Sequence, residues 1–147
     1  MRVLLQRVTR AQVSVAGAVR GSIGPGLMTL VGVGPGDTPA VAQALATRSV
    51  DLRIFRDGEG RTNRSLADVG GAMLVVSQFT LYGDTRKGRR PSFIHAAAPD
   101  VAEELVEVFA RAVESRGVKV GRGEFGAEMQ VELVNDGPMT IWLDSDA

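Results

Sequence analysis

Three stretches of the 147-residue chain carry side chains that could do chemistry. The first is Ser77-Gln78-Phe79-Thr80-Leu81, two hydroxyls and a carboxamide set in apolar sequence. A hydroxyl becomes a useful nucleophile only with a base beside it. The one imidazole in the chain is His95, and nothing around Ser77 resembles the Gly-x-Ser-x-Gly elbow of a serine hydrolase. Ser77 therefore reads as a sheet residue, and His95 as a packing or surface residue. The second stretch is Arg86, Lys87, Arg89 and Arg90, four cations in five positions around Gly88. It suits phosphate contacts as well as it suits a solvated loop. The third is Asn135-Asp136-Gly137-Pro138-Met139-Thr140, turn-prone residues between two alternating runs. A Gly-Pro pair alone is usually only a turn, and most X-Pro bonds are trans. Gly32-Val33-Gly34-Pro35-Gly36 has neither dinucleotide spacing nor a Gly-Lys-Ser/Thr, so it reads as a strand-to-helix turn.

Composition narrows the chemistry further. No cysteine is present, which excludes disulfides, zinc-thiolate sites and thiol catalysis, and one histidine excludes a histidine-rich metal site. No metal or cofactor is expected. Formal net charge is zero, whereas a nucleic-acid binder usually carries a basic excess, so any RNA contact must be local. Apolar residues make up 44% and charged residues 23%, a globular composition. No apolar run reaches the length of a membrane span, and Arg interrupts MRVLLQRVTRAQ too early for a signal peptide. A soluble cytoplasmic protein is expected.

The elements that must position these residues follow from periodicity. Residues 2–8 read as a buried strand, and Val13, Val15, Ala16-Gly17 and Val19 to Ile23 as a hairpin. Residues 27–33 are a central strand. Thr38 is an N-cap with Pro39 at the first helical position of a helix to about Val50. Residues 51–55 read as a strand, 56–71 as a polar loop, and 72–81 as the strongest strand. That strand would turn Ser77, Phe79 and Leu81 one way, and Gln78 and Thr80 the other. Asp100 with Glu103 reads as a capping box opening a helix that Gly117 stops. Val118 and Val120 begin a short strand. Met129 to Leu133 and Ile141 to Leu143 are strands flanking the third stretch. These elements predict one α+β domain over residues 1–147, with a largely antiparallel or mixed sheet and two main helices.

Taken together, SQFTLYGD (77–84), KGRRPSF (87–93), GEFGAEMQVELVNDGPMT (123–140) and MRVLLQRVTRAQVSV resemble the bacterial and eukaryotic D-aminoacyl-tRNA deacylases, through nearly the whole chain. Met139 departs from the family, which most often has Val there. The resemblance implies a homodimer that cleaves the ester between a D-amino acid and the 3′-terminal adenosine of tRNA, and also clears glycine mischarged on alanine tRNA. It implies a cis Gly137-Pro138 peptide that enters the active site of the other subunit, holds the α-ammonium and rejects L-residues. Arg7 would support that segment across the dimer. Backbone amides near Phe79 and Thr80 would serve the developing oxyanion, and Ser77 and Gln78 would position the adenosine or the ester. The 2′-hydroxyl of the terminal ribose is preferred to the Thr80 hydroxyl as the assisting group. Arg86, Lys87, Arg89 and Arg90 would touch the acceptor stem. The competing classes are a non-catalytic RNA-binding module and a metal-dependent or serine esterase.

Overall fold

Strand β1 (Arg2–Val15) is the spine of the fold, and the computed structural model describes residues 1–147 around it. One edge of β1 pairs antiparallel with β3 (Gly26–Gly32) and then with β2 (Ala18–Ile23). Its other edge pairs with β8 (Gln130–Asp144) along nearly its full length. β6 (Ala72–Ser77) runs parallel to β3, and β7 (Val120–Arg122) parallel to β6. The mixed sheet is ordered β2-β1-β3-β6-β7, with β8 on the far side of β1. Helices α1 (Pro39–Asp51) and α3 (Pro99–Glu114) pack together against one face. A two-stranded ribbon of β4 (Phe55–Arg56) and β5 (Thr62–Arg64) and the one-turn α2 (Leu66–Val69) complete the α+β architecture. No helix is long and apolar enough to cross a membrane.

Side chains alternate between two cores. Val3, Leu5, Leu27, Val31, Met73 and Val75 meet Leu45, Leu105 and Phe109 of the helices. Met28, Leu74 and Val76 face a second cluster with Val8, Ala11, Val13 and Ile23. Strands buried on both faces read as continuous apolar runs, which is why β3 and β6 lack an alternating pattern. In β1 the alternation is reset by a bulge. Val8 faces Asn135 and Arg10 faces Val134, so Thr9 has no partner, and Ala11 and Val13 join the second core.

Thr29 is fully buried opposite Leu5 and Val75, and its hydroxyl has no partner. An unsatisfied buried hydroxyl is costly, and valine has nearly the same shape. Thr29→Val is therefore expected to stabilise the protein by about 1 kcal/mol. Urea unfolding checks this, and an unchanged or lower midpoint would count against it.

The helix at Thr38 forms as its cap dictates, with Thr38 Oγ1 accepting from the Val41 N–H at 3.3 Å. Four boundaries differ from the sequence reading. Residues 51–55 are not a strand: Asp51 closes α1, and only Phe55–Arg56 pairs. The polar stretch 56–71 contains β5 and α2, the latter opened by a Ser65–Asp68 capping box. Elements this short carry no periodicity to read. The Asp100 capping box does not form. α3 begins at Pro99 with Ala98 at the cap and no side-chain acceptor, because proline is already set for the first helical position. The regular part of the helix ends at Glu114, and the closing turn runs to Gly117, whose φ of +78° and N–H bond to the Glu114 carbonyl at 2.9 Å stop the helix as expected. The fourth difference, at residues 78–81, shapes the site.

Candidate active site

Strand β6 stops at Ser77, and Phe79–Tyr82 folds into a single 3₁₀ turn instead of continuing the strand. The alternating faces expected for residues 77–81 are therefore replaced by a tight corner. The Gln78 N–H makes the last ladder bond, to the Val31 carbonyl at 2.8 Å. The corner fits because residue 32 is glycine. A Cβ there would stand 2.9 Å from the Gln78 carbonyl and 3.1 Å from Leu81 Cβ. Below the corner, Tyr82 is buried. Its burial first, and the Asp37 charge second, push its hydroxyl well above the ordinary tyrosine range.

The corner presents a half-buried Ser77 and Gln78, an exposed Thr80, and Phe79 at 55% exposure. The Gln78 carboxamide donates to the Thr80 hydroxyl. An amide cannot take a proton from that hydroxyl, so the contact orients Thr80 without activating it. Beside the corner lies a largely apolar pocket of about 340 Å³, lined by Ser77, Gln78, Phe79, Phe93, Val106 and Phe125, among others. His95 faces Asp84, Nε2 to Oδ2 at 3.8 Å, and makes no pair with Ser77. No group of three or more acidic or histidine side chains is gathered as a metal site.

The basic loop grows from the same corner. Asp84 and Ser92 exchange backbone bonds of 2.7 and 2.9 Å, closing the segment between them. The Phe93 ring packs edge-on against Phe79 at 5.1 Å. Arg86 differs from its neighbours. Its guanidinium grips Asp84 through two bonds of 2.9 and 2.7 Å, and this contact holds the Asp84 carboxyl well below the carboxylate range. Its charge is offset within the protein. Lys87, Arg89 and Arg90 are exposed, with no carboxylate within ion-pair distance.

The Asn135–Thr140 stretch does not reverse the chain. Both of its arms belong to β8 and both pair with β1: Asn135 faces Val8, and Thr140 faces Gln6. Residues 136–139 bulge out opposite the single residue Arg7, with the Gly137-Pro138 peptide cis. Asn135 staples the base of this excursion, its Nδ2 donating to the carbonyls of Arg7 at 2.9 Å and Met139 at 3.0 Å. Arg7, 3% exposed, lies beneath it, donating to the Asp136 carbonyl at 3.0 Å and the Ile54 carbonyl at 2.6 Å. Arg7 makes these contacts to the excursion within one chain. Arg56 hydrogen-bonds the Asp136 carboxylate at 2.9 Å. This bond, with the charges of Arg56 and Arg7 behind it, keeps that carboxyl below its ordinary value. Gly137 and Pro138 remain exposed at the tip.

One chain does not bring the corner and the excursion together. Arg7 is level with Leu27 and Met73, whereas Ser77 lies four residues farther along β6. Three strand spacings across and four residues along place the two on the order of 20 Å apart. Sequence reasoning missed Arg2, which donates to the Leu81 carbonyl of the corner at 2.9 Å. It also missed Arg56, and the stapling role of Asn135. Neither arginine carries a signal that separates it from other charged strand residues.

The arrangement has close relatives. A protein named D-aminoacyl-tRNA deacylase from Roseiflexus castenholzii is 62% identical over 145 residues, covering 99% of this chain and 92% of that one. One of the same name from Thermomicrobium roseum is 61% identical, covering 99% and 94%. The solved structure of a c-Myc DNA unwinding element binding protein superposes with a TM-score of 0.93 at 36% identity, covering all of both chains. The family model for D-Tyr-tRNA(Tyr) deacylase matches residues 4–144, corner, basic loop and excursion included. The chain belongs to the D-Tyr-tRNA(Tyr) deacylase family.

Proposed function

We propose that this protein is a D-aminoacyl-tRNA deacylase of the cytoplasm, working as a homodimer in which each subunit's excursion completes the other's corner. The observation that carries this reading is the distance between the two motifs: at on the order of 20 Å apart in one chain, they can serve one ester only if a second copy supplies one of them. β8 suits that role. It pairs with β1 on one edge only, and it exposes Val131, Val134 and Trp142. A long bare strand edge with apolar side chains is a template for pairing with another chain.

In this reading the terminal adenosine enters the pocket beside Phe79, Phe93 and Phe125, with Ser77 and Gln78 positioning it. The N–H groups of Phe79 and Thr80 receive the developing oxyanion, the term that usually dominates acyl-transfer catalysis. The 2′-hydroxyl of the terminal ribose assists the attacking water, since the partner of Thr80 is an amide. The Gly137 and Pro138 carbonyls of the other subunit hold the substrate's α-ammonium. A D-side chain then points to open space and an L-side chain strikes the excursion, so selection works by rejection. Achiral glycine on alanine tRNA passes the same gate. Neither metal nor cofactor takes part.

Matched deacylation of D-Tyr-tRNA and L-Tyr-tRNA at limiting enzyme, with and without chelator, tests this. Loss of the D-ester alone, unaffected by chelator, is the expected result. Loss of both esters would remove the gate, and loss of neither would leave a non-catalytic RNA-binding protein.

A further inference from the structure

Arg2 belongs to none of the motifs, yet its guanidinium touches two elements, the Phe79–Tyr82 corner and β8. Its Nη1 donates to the Leu81 carbonyl at 2.9 Å, and its Nε to Asp144 of β8 at 3.3 Å. One ring beside it is Tyr82, 4.4 Å from the guanidinium carbon to the ring centroid, and the other is Trp142 of β8 at 5.8 Å. We propose that Arg2 is a positioning residue that ties the Phe79–Tyr82 corner to β8, and so fixes the Phe79 and Thr80 amides. The proposal rests on the deacylase reading of the site.

The corner is held by polar bonds at two ends. At its start, the Gln78 N–H bonds the Val31 carbonyl. At its end, the Leu81 carbonyl is one of the groups that a helical turn leaves without an internal partner, and Arg2 satisfies it. A cation is also favourable there, where the backbone dipoles point their negative ends. Between these anchors the corner has its own bonds, Leu81 N–H to Gln78 O at 3.2 Å and Gly83 N–H to Thr80 O at 2.9 Å. Only a planar guanidinium can donate to two oxygens in its plane while offering its faces to rings; an ammonium cannot do both. The contact to Trp142 also means that β8, the strand carrying the excursion, and the corner share one strut.

The Arg2 side chain is 34% exposed, so Arg2→Met keeps an apolar stem and leaves the core closed. Displacing a reacting group by about 1 Å costs up to about 10²-fold in rate. For Arg2→Met, kcat on D-Tyr-tRNA is expected to fall roughly tenfold with a smaller rise in KM, because the change moves the oxyanion donors while Phe93, Val106 and Phe125 of the pocket stay in place. Arg2→Lys restores one donor and is expected to recover about half of that deficit on a logarithmic scale. Hydrogen exchange gives a readout independent of activity: the Gly83 amide is expected to exchange roughly tenfold faster in Arg2→Met, with the β1–β3 amides unchanged. Wild-type kcat together with wild-type exchange at Gly83 would overturn the proposal. An inactive wild-type protein would instead defeat the deacylase reading, while the exchange measurement still decided whether Arg2 holds the corner.

Discussion

A Gly137→Ala protein is expected to lose about 10²-fold or more in kcat/KM on D-Tyr-tRNA while keeping its fold. Two independent obstacles meet at this residue. Its φ is +133°, a conformation that L side chains rarely adopt, and forcing one there costs on the order of 1–3 kcal/mol. The added Cβ would also stand 2.7 Å from Arg7 Nη2 and 3.1 Å from the Met139 nitrogen. Arg7 cannot retreat, because it is buried and its Nε and Nη1 already serve Asp136 and Ile54. The excursion has to move instead. The fold survives because the tip is exposed and both arms of β8 keep their pairing with β1. Single-turnover deacylation of D- and L-Tyr-tRNA, with a thermal melt as control, measures the effect. Wild-type rate and selectivity in the alanine protein would remove the excursion from the site.

The second large effect is expected from the basic loop. Replacing Lys87, Arg89 and Arg90 together by alanine removes three exposed cations that no carboxylate balances. Every phosphate that the protein ceases to neutralise flattens the logarithmic salt dependence by roughly 0.7–0.9, so the slope should flatten by about 2 to 3. KM for D-aminoacyl-tRNA should rise by on the order of 10² at low salt, with kcat little changed. Arg86 behaves differently because its donors are occupied by Asp84. The paired change Asp84→Ala with Arg86→Ala removes a balanced pair and is expected to leave the slope as it is. Kinetics at several salt concentrations separate the two variants. Flattening by roughly 0.7–0.9 in the paired variant would mean that Arg86 leaves Asp84 to meet RNA.

What could be read from the chain depended on whether the deciding contact was local. The helix at Thr38-Pro39 and the Val13–Ile23 hairpin follow from neighbouring residues, and both form. The two arms of β8 alternate visibly and are strands. What joins them could not be read locally. Asn-Asp-Gly-Pro has turn chemistry, but Asn135 and Thr140 both find partners on β1, whose register lies more than a hundred residues away. Likewise Phe79-Thr80-Leu81 has strand propensity, and the corner forms because Gly32 and Arg2 shape it from distant positions. The occupation of Arg86 was closer to hand, since Asp84 stands only two residues before it.

The central place of β1 has a kinetic consequence. The bonds that fasten β8 to it join residues 128 and 142 apart in sequence. Closing loops of that size is entropically late, and folds dominated by such pairings assemble slowly. The hairpin of β1 and β2 and the β1–β3 pair close far shorter loops. A folding chain therefore acquires the corner side of the sheet before the excursion is in place. In the proposed reading, a half-assembled molecule would hold the Phe79–Tyr82 corner without the excursion and without the β8 end of the Arg2 strut. If the excursion comes from a second copy, as proposed, discrimination and hydrolysis become complete in the same step, when two finished chains meet.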